Sequence, residues 1–210
     1  MFEVIKRVPV TIAIALATIS VFLIPSLDEV MTLDLGRSLV SQIGQLFSCH
    51  LLHWSFEHLA WDWFMFVLVG AICELRCRRG YLLVLVFSAI LIPVSVSVLM
   101  PMLGSYRGLS GIDTGIFVFA AILLIEEAIQ QRNWSSAGVY AAMLVGLIGK
   151  TLFELTCGGT MFVESVNFTP VPVAHITGAV VGALVAIGQR CGPVGYRNMI
   201  GLQRHFSKLL

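Results

Sequence analysis

Ser110 stands between two glycines, in Gly108-Leu-Ser-Gly111, at the opening of an apolar run. A hydroxyl there means little alone. His175 lies in a second apolar run, Ala174-His-Ile-Thr-Gly-Ala-Val-Val-Gly182. An ionisable group inside a bilayer is costly, so a membrane histidine marks a functional site by default. A serine and a histidine on two different membrane helices are the parts of a nucleophile and its general base. The chemistry this implies is proteolysis within the membrane.

A third segment adds to the set. His53-Trp-Ser-Phe-Glu-His58-Leu-Ala-Trp-Asp62 opens another apolar run, and His58 and Asp62, four apart, share one helical face. These groups, Ser110 and His175 all sit near the same end of their helices, so they lie at similar depth. Asp113, three residues after Ser110, lies about one turn deeper and reads as a polar packing partner or a supporting group near His175. Gly111-x-x-x-Gly115 and Gly178-x-x-x-Gly182 are patterns that let two helices approach closely. A Ser–His hydrogen bond needs about 2.6–3.2 Å between heavy atoms, which bulky facing residues would prevent. Ordinary packing is the plainer reading of such glycines.

These residues need a membrane scaffold, and the composition supplies one. Hydrophobic residues make up 58% of the 210, and charged residues 12%, about half the soluble norm of roughly 25%. Mean hydropathy is +0.92. The chain is expected to be one all-α membrane domain over residues 1–210, with no separate soluble domain. A net charge of +1 points to no nucleic acid partner. A spanning helix needs about 20 mostly apolar residues. Six segments are predicted, at about 8–24, 58–75, 81–103, 110–129, 136–156 and 171–188, with Pro93 expected to kink the third. The first lacks a small-residue cleavage site and reads as an uncleaved helix.

Lys and Arg mark the cytoplasmic side. Lys6, Arg7, Arg76, Arg78, Arg79, Arg132, Arg190, Arg197, Arg204 and Lys208 fall on one side, against Arg37 and Arg107 on the other. Both termini are therefore expected in the cytoplasm. The first external connection, about Pro25–Glu57, is long, and its apolar pairs suggest a structure lying in the interface. The five cysteines show no metal-ligand spacing. Cys73 and Cys77 read as inert thiols at a helix end. Cys49 and Cys157 share the external side, where a disulfide between them would persist; the alternative is two free thiols.

With these motifs in place, the sequence resembles the rhomboid family of intramembrane serine proteases. That family carries Gly-x-Ser-Gly on its fourth helix, matched by Gly108, Ser110 and Gly111. Its sixth carries Ala-His-x-x-Gly-x-x-x-Gly, matched by Ala174, His175, Gly178 and Gly182. Its second carries His-x4-His-x3-Asn, matched by His53 and His58 but with Asp62 in the Asn place, and Glu74-Leu-Arg76 matches a following Glu-x-Arg. The resemblance implies a six-helix rhomboid-like bundle without cofactor or metal. It implies Ser110 as nucleophile and His175 as base in a dyad, with His58 and the Ser110 N–H as oxyanion donors and His53 in support. An ionised Asp62 would repel an oxyanion, so Asp62 is expected to donate as a neutral acid or to orient His58; lost activity is the third option.

The compact His-x4-His-Leu-x-Trp-Asp block is similar to the bacterial rhombosortases. That likeness implies an inner-membrane enzyme whose single-span substrates carry a C-terminal helix with a Gly-Gly-containing sorting tail. Rival readings are a zinc-dependent membrane hydrolase built on His53, His58, His175, Asp62 and Ser110, an inactive rhomboid-like client-binding protein, and, last, a transporter. Lys150 and Glu154 are expected to pair with each other or snorkel, without a catalytic role. Trp54, Trp61 and Trp63 suit an aromatic belt. His50 reads as a loop residue, and His205 lies in the tail.

Overall fold

The computed structural model describes residues 6–159 and 169–189. Seven α-helices lie within them. The first, α1 (Pro9–Phe22), starts on a proline, whose missing N–H costs nothing at the first helical position. Two short helices follow in the long connection, α2 (Asp28–Met31) and α3 (Ile43–Ser48), with strand β1 (Leu33–Asp34) between them. The Ser55 side chain caps the start of α4 (Phe56–Leu99) by accepting the His58 N–H at 3.1 Å.

The second and third predicted segments form this one 44-residue run, broken where Cys77 leaves helical dihedrals. Pro93 lies within the helical stretch, so the break in dihedrals falls at Cys77 and not at the expected proline. After β2 (Ser105–Tyr106) come α5 (Ser110–Gln130), α6 (Trp134–Cys157) and α7 (Pro172–Gly188). Their bounds lie within two residues of the predicted ones. By length and apolarity α4 and α6 can each cross a membrane, and α1 with the bent turn after it makes a further candidate. Arg190, Arg197, Arg204, Lys208 and His205 lie outside the described residues.

Packing follows the apolar stripes. On α4, His58, Asp62, Phe66, Val69 and Cys73 recur every three or four residues and face inward. The core gathers Phe66, Tyr81, Ile92, Ile116 and Phe119 between α4, α5 and α7. At the other end of the bundle, Glu74 receives the Val10 and Thr11 N–H groups at 3.1 and 2.8 Å, so its carboxylate satisfies the exposed donors that open α1. Arg76 pairs with Glu127 near the end of α5. The Glu-x-Arg sequence thus binds α4 to two neighbours.

The long first connection is ordered. β1 pairs antiparallel with β2, Leu33 against Tyr106 and Asp34 against Ser105. Leu33, Cys49 and Leu52 are buried, while Val40, Ile43 and Phe47 stay exposed and give the loop an apolar outer face. Arg107 extends the join, binding Asp28 at 2.7 Å and Thr32 at 2.8 Å while stacking on the Trp54 ring. Cys49 is a buried free thiol and Cys157 an exposed one, so the bridge between them does not form. Cys73 is also free, whereas Cys77 is disulfide-bonded, which corrects its reading as an inert thiol.

Candidate active site

The serine reaches its position through a loop held from both sides. Gly108 has φ +130°, a conformation that side-chain-bearing residues rarely adopt. Its N–H donates to the Cys49 carbonyl at 3.1 Å, and its own carbonyl faces His50 Nδ1 at 3.2 Å. His50 Nε2 faces the Ala89 carbonyl at 3.3 Å. This buried ring therefore ties the first connection to the serine loop and to α4. Burial lowers the His50 pKa, partly offset by the two carbonyls. Burial likewise raises those of Cys49 and Tyr106. Sequence reasoning gave His50 no part, since its partners are main-chain carbonyls that no motif displays.

Ser110 is the first residue of α5, so the N–H groups around it have no acceptor within the helix. They can serve a developing negative charge. The glycine patterns set the distance to α7. A Cβ on Gly178 would overlap the Gly111 carbonyl oxygen, and one on Gly182 would overlap that of Gly115. The backbones of α5 and α7 touch there. This brings Ser110 Oγ to 3.2 Å from His175 Nε2.

His175 is engaged on its other side too. Its Nδ1 lies 2.9 Å from Glu154 Oε2, and Glu154 Oε1 accepts from Lys150 Nζ at 2.7 Å. Lys150 and Glu154 do pair, as expected, but Glu154 also reaches a histidine 21 residues away in sequence. The i,i+4 spacing explains the pair completely, which is why the second contact was missed.

His53 and His58 converge on one oxygen. Their Nε2 atoms lie 3.2 and 3.3 Å from Asp62 Oδ2. Asp62 is thus an acceptor between two imidazoles, an arrangement that orients them. His58 packs against Gly108, where an added Cβ would stand 3.3 Å from its Cε1. Asp113 is buried beside the site, and neither carboxylate oxygen has a hydrogen-bond partner among the described residues. The five residues of the zinc alternative divide into two sets, His53–Asp62–His58 and Ser110–His175. Among the described residues no three His, Cys, Asp or Glu side chains are grouped to hold a metal.

A cleft of about 710 Å³ opens over these groups, walled by Trp54, His58, Asp62, Ser110, Glu154 and His175. A hydroxyl beside an imidazole, with the N–H groups of a helix start on the same apolar cleft, is an arrangement suited to acyl transfer. The Rhomboid domain model matches residues 40–190, most of the chain. The chain belongs to the rhomboid family. It is thus a helical, multi-pass membrane protein of a family of intramembrane serine proteases that also has inactive members. The match begins inside the long first connection and takes in every motif named above. No curated protein matches the chain.

Proposed function

We propose that this rhomboid is an active serine endopeptidase cutting membrane-anchored proteins near the external face. The 3.2 Å contact between Ser110 Oγ and His175 Nε2 carries that reading. In the proposed reaction Ser110 Oγ attacks the scissile carbonyl carbon as its proton passes to His175 Nε2. The carbonyl π pair moves onto oxygen, beside the N–H groups at the start of α5. Collapse breaks the C–N bond, and Nε2–H returns the proton to the leaving amine. Water then repeats the sequence on the acyl-enzyme, releasing the acid and Ser110. His58, oriented by Asp62 with His53, stands beside Gly108; with one ring nitrogen committed to Asp62, it would donate to the oxyanion only when the ring carries both protons.

The finer reading is a bacterial rhombosortase in the inner membrane. It would have six spans and cytoplasmic termini, and cut single-span substrates with Gly-Gly-containing C-terminal tails. The Asp in the Asn place and the compact second-helix block support it. The test is labelling of purified protein with a fluorophosphonate probe. Wild type is expected to label, while Ser110→Ala and His175→Ala lose labelling and cleavage and remain folded. Members of one catalytic unit act non-additively, so the double variant is no worse than either single one. An unlabelled wild type, or turnover retained by Ser110→Ala, overturns the proposal; the first result favours a client-binding protein.

A further inference from the structure

Of the 24 residues in α6, Ala137 and Glu154 are the buried ones. The helix otherwise stands off from the core. Gly146 and Gly149 line the cleft, with nothing within 4 Å of where their Cβ atoms would be. A carboxylate is an expensive group to bury in an apolar helix unless it is paired and hydrogen-bonded on both oxygens. Glu154 meets that condition with Lys150 on one oxygen and His175 on the other. The other carboxylates of the cleft do not serve His175. Asp62 is taken by two histidines, and Asp113 has no hydrogen-bond partner among the described residues.

We infer that Glu154 is a positioning residue that completes a Ser110–His175–Glu154 triad, with Lys150 holding the carboxylate in place. The inference rests on the proposed role of Ser110 and His175 and adds a member that the dyad reading lacks. An ionised carboxylate only accepts hydrogen bonds. Nδ1 of His175 therefore carries the proton, and the Nε2 lone pair is left to receive the one from Ser110 Oγ. When Nε2 takes that proton the ring becomes an imidazolium, and Glu154 lies 2.9 Å from its Nδ1. An Asp beside the histidine of a serine protease acts in this way, by fixing tautomer and stabilising the cation.

The experiment compares labelling rates of the full chain in detergent for wild type, Glu154→Gln, Glu154→Leu and Glu154→Asp, each normalised to folded protein. Glu154→Leu and Glu154→Gln are expected to label about 10²–10⁴-fold more slowly, and Glu154→Asp to recover most of the loss. A far-downfield exchangeable proton resonance from Nδ1–H is expected in wild type and in Ser110→Ala. It should be absent from Glu154→Leu and His175→Ala. If Glu154→Leu does not fold, Glu154→Gln and the resonance decide. Glu154→Leu labelling within about threefold of wild type, beside an unlabelled Ser110→Ala, overturns the inference and leaves the nucleophile intact. A wild type that does not label at Ser110 defeats the protease reading instead, and the resonance still tests the Glu154–His175 contact; its absence overturns the inference.

Discussion

His50 has a carbonyl facing each ring nitrogen, yet a neutral imidazole carries one N–H. Burial holds its folded pKa below the ordinary value. A depressed value means the stability from neutral His50 is fully present above the unfolded pKa, near 6.5, and is lost as pH falls below it. The midpoint of thermal unfolding in detergent is therefore expected to drop as pH falls below about 6.5, and to drop less in His50→Gln. Equal slopes in the two proteins would remove His50 as the cause. Asp62 allows a second test at this scale. Asp62→Asn keeps an acceptor between the two imidazoles and should retain measurable activity. Asp62→Leu leaves both without it and should lose roughly 10²–10³-fold, the usual cost of one oxyanion donor. A fully active Leu variant gives Asp62 no part in catalysis. Of these residues, Ser110, His175, His58 and Asp62 were legible because their neighbours in sequence form recognisable spacings. The contacts of Glu154 and His50 were not, because each meets its partner only once the chain has folded.

Among the helices, the seam between α5 and α7 has no room to yield. A methyl at Gly178 would meet a backbone carbonyl, which cannot rotate away as a side chain can. Gly178→Ala is expected to destabilise the protein by about 3 kcal/mol, the upper end for overpacking, and to slow Ser110 labelling by moving His175. Gly138→Ala, on the open face of α6, serves as the control and should be neutral or slightly stabilising, since an added Cβ meets nothing within 4 Å. Equal melting points for the two variants would show that the seam is looser than the structure has it. The apolar runs located the helices well, and the join of the second and third less well. The segments predicted at about 58–75 and 81–103 left a cytoplasmic loop between them, carrying Arg76, Arg78 and Arg79. The chain instead changes direction at a single residue, Cys77, because the hydrogen-bonded run can resume directly after one non-helical pair of dihedrals. The pairing of β1 with β2 left no trace in the sequence either, since two-residue strands carry no alternation to detect.

For the molecule as a whole, the expected orientation can be checked through its thiols. Cys157 is free and exposed at the end of α6, whereas Cys49 is free and buried. A membrane-impermeant maleimide added outside spheroplasts should modify Cys157 without reductant and leave Cys49 untouched. Labelling only after lysis would reverse the assigned sides. The order of the parts along the chain has one more effect. On the proposed roles the nucleophile comes first, its carboxylate support next on α6, and the base last, on α7. A chain still emerging from the ribosome carries a serine hydroxyl with no partner to activate it. It gains one when α7 seats its glycines against α5. On those roles the protein would be its own zymogen during synthesis, harmless to neighbours in the bilayer until α7 arrives.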